Sequence, residues 1–246
     1  MTETTNSINT IAPLANVSLC SSALDRALNR PAHLPGMVTF YGPSGWGKSF
    51  SAAYTANRFR AYYVECKSSW TRKALLVSIL KSMGIVPATT IYDMTEQISE
   101  QLALSGRPLI VDEMDHIVEK KAVEVIRDIY EGSNAAILMI GEEKLPAKLK
   151  GWERFHNRML DWVPAQPADL EDTGLLADLY SPDVVIADDL LGNIQQMARG
   201  CVRRICVNLE LVRRTAMDAG LDQIDLATWK SSQKELYTGE APKRRI

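Results

Sequence analysis

Gly42-Pro43-Ser44-Gly45-Trp46-Gly47-Lys48-Ser49 fits G-x-x-x-x-G-K-[ST] at every fixed position. A triphosphate concentrates negative charge, and this arrangement sets against it inward-pointing backbone N–H groups, one ammonium and one metal-seeking hydroxyl. The glycines let the backbone curl. On this reading Lys48 reaches the β- and γ-phosphates and Ser49 binds Mg²⁺. The helix that opens here, with Phe50 in its first turn, adds the positive end of its dipole. The flanks suit the motif. Residues 36–41 read as a short buried strand, and residues 50–59, free of Gly and Pro, read as a helix. Strand, loop and helix are the context the motif requires, so the stretch implies a site for ATP with Mg²⁺. The competing reading is a glycine-rich turn that binds nothing.

A second element, this one acidic, lies downstream. Pro108-Leu109-Ile110-Val111-Asp112-Glu113 is an apolar run ending in two carboxylates, patterned as a strand buried on both faces. At the carboxyl edge of such a strand Asp112 can hold Mg²⁺ through its water shell, and Glu113 can orient and deprotonate an attacking water. Standing alone, an acidic pair after a strand is a common helix N-cap. Downstream of a phosphate loop in a βα pattern, it reads as catalytic.

Between and beyond these motifs, strands and helices alternate. Residues 61–66 read as a strand and 71–83 as a helix ending at Gly84. Asp93-Met94-Thr95-Glu96 reads as a capping box for a helix through Leu104. A helix over 122–130, a strand over 135–140, a helical stretch over 142–150 interrupted by Pro146, and a last strand over 160–163 follow. Ahead of the loop, Ser21 or Ser22 caps a helix that runs to Arg30. This alternation predicts an α/β fold, a parallel sheet covered by helices on both sides.

Past Pro164, Pro167 and Pro182 the pattern becomes entirely helical. A helix over 188–199 precedes one over 202–219 that buries Ile205, Leu209, Val212 and Ala216 and turns Arg199, Arg203 and Arg214 to the opposite face. The expected organisation is a mobile segment 1–17, a P-loop core 18–165, a small helical lid 166–236 and a basic tail 237–246. A net charge of −2 gives no global attraction to nucleic acid, so any such binding must come from local patches. The N-terminus lacks the basic start and apolar run of a signal peptide, and no apolar run is long enough to cross a bilayer; a cytoplasmic protein is expected. Cys20, Cys66, Cys201 and Cys206 lack ligand spacing and read as small core residues.

The phosphate loop, the 109–113 strand, a further strand, an arginine pair and a helical lid together resemble an AAA+ ATPase. More narrowly, Asp112-Glu113-Met114-Asp115-His116-Ile117 and Ala198-Arg199-Gly200-Cys201-Val202-Arg203-Arg204 are similar to the ATP-dependent transposition regulators typified by phage Mu transposition protein B, with relatives in Tn7-type elements. The resemblance implies an ATPase that oligomerises on duplex DNA as a ring or helical filament, without sequence preference, and delivers target DNA to a DDE-type transposase. A helicase-loader-like role in replication is the alternative. It also implies an arginine finger acting on the neighbouring subunit's ATP, for which Arg154 or Arg158 occupies the right region, and a γ-phosphate-sensing lid arginine, Arg203. Either of the first two could instead be a surface arginine, and Arg203 could be part of a solvated helix face.

Two departures from the family carry expectations of their own. The strand-4 sensor position falls at Gly141-Glu142 rather than at a small polar or amide residue, which implies slow hydrolysis. Mu protein B carries a DNA-binding domain ahead of its ATPase core; here the core is expected to make the contact. The candidates are Lys67, Arg72 and Lys73 after the second strand and Lys120 and Lys121 after the acidic pair. Repeated around an oligomer, such cations would neutralise many phosphates. Any one of them taken singly reads as an ordinary solvated lysine or arginine; taken as a set they read as a DNA contact. His116 reads as a packing or partner-facing group, and Trp70 as core or partner contact.

Overall fold

A computed structural model of the chain describes residues 12–241. The described residues divide into two compact units, Asn16–Gln166 and a second built from residues 12–15 and 167–241.

The first unit runs α1 (Ala15–Leu28), β1 (Met37–Tyr41), α2 (Lys48–Phe59), β2 (Tyr62–Glu65), α3 (Arg72–Met83), α4 (Ile91–Ser105), β3 (Leu109–Asp112), α5 (Asp115–Glu119), α6 (Val123–Ser133), β4 (Ile137–Gly141), α7 (Leu145–Leu149), α8 (Glu153–His156) and β5 (Met159–Pro164). Its five strands are all parallel, in the order β2-β3-β4-β1-β5. Side chains alternate across the strands, and both faces are apolar. Met37, Tyr62, Val64, Leu109, Val111, Ile137 and Met139 meet α3, α4 and α6 on one side, while Val38, Phe40, Ile110, Leu138 and Ile140 meet α1 and α2 on the other. The strand order places the carboxyl ends of β1, β4 and β3 side by side. In open parallel sheets that crevice is where ligands bind.

The second unit holds α9 (Leu170–Tyr180), β6 (Val185–Ile186), α10 (Asp188–Ala198), α11 (Val202–Asp218), β7 (Gln223–Ile224) and α12 (Leu226–Ser231). Ile205, Leu209, Val212 and Ala216 are fully buried along α11, and Arg199, Arg203 and Arg214 are exposed. The region is helical as expected, with one addition. A two-residue parallel ladder joins β6 to β7, too short to leave a periodic signal in the sequence.

Several expected boundaries move. α1 opens at Ala15, well before Ser21, because Val17 and Cys20 extend its apolar stripe; Ser21 is buried against Thr55, their hydroxyl oxygens 3.0 Å apart. Ala12, Leu14 and Val17 are likewise buried, so the end of the segment expected to be mobile is packed; residues 1–11 lie outside the described range. The cap of α4 is Thr90, which accepts from the Asp93 N–H at 3.0 Å, so the helix starts ahead of the expected Asp93 box. Pro146 does not interrupt α7 but sits in its first turn, where the missing N–H costs no intrahelical bond. Of the basic tail, Tyr237 is tied to α11: its N–H donates to Asn208 Oδ1 at 2.7 Å and its carbonyl accepts from Nδ2 at 3.0 Å. Residues 242–246 lie outside the described range.

Candidate nucleotide site

The loop after β1 folds as its glycines require. Gly45 and Gly47 have φ of 84° and 79°, in the left-handed region, and Gly47 caps α2. At Gly42 a Cβ would lie 2.9 Å from Cβ of Ala165, so the absence of a side chain lets the segment after β5 close against the loop. Lys48 Nζ donates to the carbonyls of Gly42 at 2.7 Å and Pro43 at 2.9 Å, across the mouth of the loop. Burial lowers the Lys48 pKa, against the opposing fields of Glu113, Asp112 and Glu142. Ser44 and Ser49 are exposed; Trp46, Phe50 and Pro43 are half-buried.

At the end of β3, Asp112 is 1% exposed. Its Oδ2 accepts from the Tyr63 hydroxyl at 3.0 Å and its Oδ1 from the Glu113 N–H at 2.8 Å. Glu113 itself has φ of 53°, a left-handed conformation that costs a non-glycine residue about 1 kcal/mol or more. Such strain persists only where the surroundings fix it, and here the bond to Asp112 helps to do so. Burial, reinforced by the Asp112 charge, raises the Glu113 pKa above the usual carboxylate value. The same two causes push the Tyr63 phenol up.

Glu142, at the end of β4, stands between these two groups in strand order. Its N–H donates to Asp115 Oδ2 at 2.6 Å, while Asp115 Oδ1 accepts from Lys148 Nζ at 2.8 Å. Lys148 also pairs with Glu119 at 2.9 Å. A Cβ at Gly141 would meet Asp115 Oδ2 at 2.4 Å, so glycine is required there by the buried carboxylate beside it. Sequence reasoning passed over Tyr63, Asp115 and Lys148 as site residues. Asp115 was visible as a third acid close to the pair; Tyr63 needs the pairing of β2 with β3, which one sequence does not state.

The donor set fits Mg²⁺ with a triphosphate. Asp112 retains carboxylate lone pairs beyond the two it uses, and the Lys48 ammonium donates to the backbone carbonyls of Gly42 and Pro43. Ser49 offers an exposed hydroxyl at the start of α2.

The other expected residues lie elsewhere in the chain. Arg154 lies in α8, and Arg158 directly precedes β5 at the amino ends of β5 and β1, whereas the phosphate loop follows the carboxyl end of β1; the five residues Met37–Tyr41 separate the level of Arg158 from that of the loop by about 16 Å. Arg158 is ion-paired with Glu131, whereas Arg154 is exposed and has no ion pair among the described residues. Lys67, Arg72, Lys73, Lys120 and Lys121 are all exposed. Arg72 donates to the Lys121 carbonyl at 3.2 Å, bringing the two basic loops together, while Lys73 turns to the Thr89 carbonyl at 2.9 Å. Arg203 is exposed in the first turn of α11, and His116 is half-buried in α5.

Fold and site define the class, a P-loop domain with the AAA+ fold. Residues 32–149, just under half of the chain, match the family model described as AAA domain. Among solved structures, Cdc6p from Pyrobaculum aerophilum aligns at a TM-score of 0.62 and 15% identity over 85% of this chain, which spans 62% of that protein's length. The Orc1 protein of Aeropyrum pernix in complex with DNA aligns at 0.63 and 14% identity, over 93% of this chain and 67% of that one. A RuvB variant from Thermotoga maritima aligns at 0.61 and 18%, over 89% and 70%. At these identities the likeness is one of fold. Comparison with curated proteins gives no significant match. Among the described residues no helix is long and apolar enough to cross a membrane.

Proposed function

We propose that the protein is an ATPase that assembles on duplex DNA when ATP is bound and delivers that DNA as target to a DDE-type transposase. The observation that carries the ATPase reading is the convergence of Lys48, Asp112 and Glu113 on the carboxyl edge of one parallel sheet. Lys48 and backbone N–H groups of residues 44–50 would hold the phosphates, and Ser49 and Asp112 would hold Mg²⁺. That ion, when bound, neutralises charge on the phosphate oxygens. Glu113, raised in pKa yet braced through its backbone, would take the proton of the attacking water.

Tyr63 would keep the Asp112 carboxylate aimed. Tyr63→Phe is expected to raise the half-saturating Mg²⁺ concentration for turnover by about tenfold, the usual scale for a partner of a metal-holding carboxylate, with little change in saturated turnover. Titrating Mg²⁺ at saturating ATP checks this.

The DNA reading rests on the joined cationic loops of Arg72 and Lys121. One subunit would bind weakly; an ATP-linked oligomer would multiply the contacts. DNA affinity is therefore expected to require ATP or a non-hydrolysable analogue and to fall about a thousandfold between roughly 50 and 200 mM salt. A variant carrying Arg72→Glu, Lys73→Glu and Lys121→Glu should lose DNA and keep nucleotide. Filter binding on two unrelated duplexes tests this, and ATP-independent binding or strong preference for one duplex would overturn it. The transposase assignment rests on the motif resemblance at 112–117 and 198–204. A second reading, a loader-like role in replication, is favoured by the fold likeness to an Orc1 protein solved with DNA. A DDE-type transposase gene next to this one supports the first, a primase or helicase gene the second.

A further inference from the structure

Asn16, the second residue of α1, is 3% exposed and makes three hydrogen bonds that have nothing to do with the helix around it. Its Oδ1 accepts from the Gln166 N–H at 2.8 Å; its Nδ2 donates to the Gln166 carbonyl at 2.8 Å and to the Trp46 carbonyl at 2.8 Å. The orientation of the amide is fixed by its partners, because only an oxygen can face the Gln166 N–H and only an NH₂ can face two carbonyls.

The two residues it joins are special in the chain. Trp46 lies in the phosphate loop. Asn16 and Gln166 are the first and last residues of the larger unit, the two places where the backbone passes to the smaller one. The segment leading to Gln166 also seals the other end of the loop: Ala165 donates its N–H to the Tyr41 carbonyl at 2.7 Å, and its methyl fills the space beside Gly42. The loop is thus gripped at both ends by residues 165–166, at its start directly and at Trp46 through Asn16.

We infer that Asn16 is a positioning residue for nucleotide binding, a buried amide that sets the Trp46–Gly47 peptide and couples it to both chain crossings. The physical link is the planarity of the trans peptide. Its C=O and N–H point in opposite directions, so drawing the Trp46 carbonyl toward Asn16 turns the Gly47 N–H away from it. Gly47, left-handed and side-chain-free, follows without steric cost. In the ATP reading, on which this inference rests, that N–H is one of the phosphate donors. Movement of the chain at 166 would therefore be felt at Trp46, and occupancy of the loop would be felt at 166.

Asn16→Asp keeps the shape and the acceptor for the Gln166 N–H but sets oxygen against two carbonyls. It is expected to weaken ATP binding about tenfold, seen as a raised KM, with saturated turnover changed less than about threefold. Hydrogen exchange in the nucleotide-free protein should speed up at residues 42–49 while Tyr62–Glu65 and Leu109–Asp112 remain as protected as before. Asn16→Ser, which restores a single donor, should fall between, and it stands in if the aspartate variant does not fold. Unchanged KM with unchanged loop exchange would overturn the inference, as would a fall in turnover with exchange raised uniformly across the sheet, the mark of simple destabilisation. Should the unsubstituted protein not bind ATP, the nucleotide reading falls, and the exchange comparison, which needs no nucleotide, still decides whether Asn16 holds the loop.

Discussion

Glu113→Gln is expected to bind ATP as the unsubstituted protein does and to lose turnover by about a hundredfold to ten-thousandfold, the range over which a positioned general base acts. The amide keeps the size of the side chain and the backbone bond from the Glu113 N–H to Asp112, so the left-handed turn should survive. What it lacks is a lone-pair anion for the water's proton. The pH profile adds a second signature. Because burial and Asp112 raise the folded pKa of Glu113, the carboxylate form is disfavoured, and turnover should climb with pH through a midpoint above that of an ordinary glutamate. Nucleotide-binding and phosphate-release assays across pH 4–8 read both effects. Normal turnover in the glutamine variant would remove Glu113 as the base.

The second large effect concerns the neighbour. Arg154→Ala alone is expected to reduce turnover about a thousandfold or more, on the scale of an arginine finger, and Lys48→Ala alone to abolish ATP binding. Mixed in equal amounts, the two inactive proteins should recover about a quarter of the sites, since a heterologous interface works when an intact loop meets an intact finger and each condition holds for half the subunits. The reason to choose Arg154 is that it has no ion pair among the described residues, where Arg158 is held by Glu131. Arg154 sits in α8, which leads to the amino end of β5, whereas the phosphate loop follows the carboxyl end of β1, and a residue acting across an interface should lie away from its own loop. If no mixture recovers activity with Arg154→Ala or with Arg158→Ala, the finger lies elsewhere.

Much of this architecture was readable in the residues. Five strands and the main core helices followed from apolar runs, turn glycines and the phosphate-loop motif, because a parallel sheet buried on both faces leaves unbroken apolar runs. α9 and the short ladder of the smaller unit were not, since α9 lacks a strong amphipathic stripe and a two-residue strand has no period to detect. The site was legible where it is contiguous, at 42–49 and 112–113. It was illegible where the fold assembles it from distant residues: Tyr63 against Asp112 across two strands, Asp115 against Gly141, and Asn16 against Trp46 and Gln166. Each of those depends on register and chain crossing, which no local window contains.

On the ATPase reading, the contact of Lys48 with the Gly42 and Pro43 carbonyls would shape the catalytic cycle. In a loop that binds ATP, the ammonium is passed between the phosphates and a tethered pair of acceptors always within reach. Arrival of nucleotide is then an exchange of partners, so part of the attraction for phosphate is offset by the bonds given up. Departure is the reverse. As ADP began to leave, the carbonyls would recapture the ammonium before water had to solvate it, which would favour product release and leave the loop reset for the next ATP.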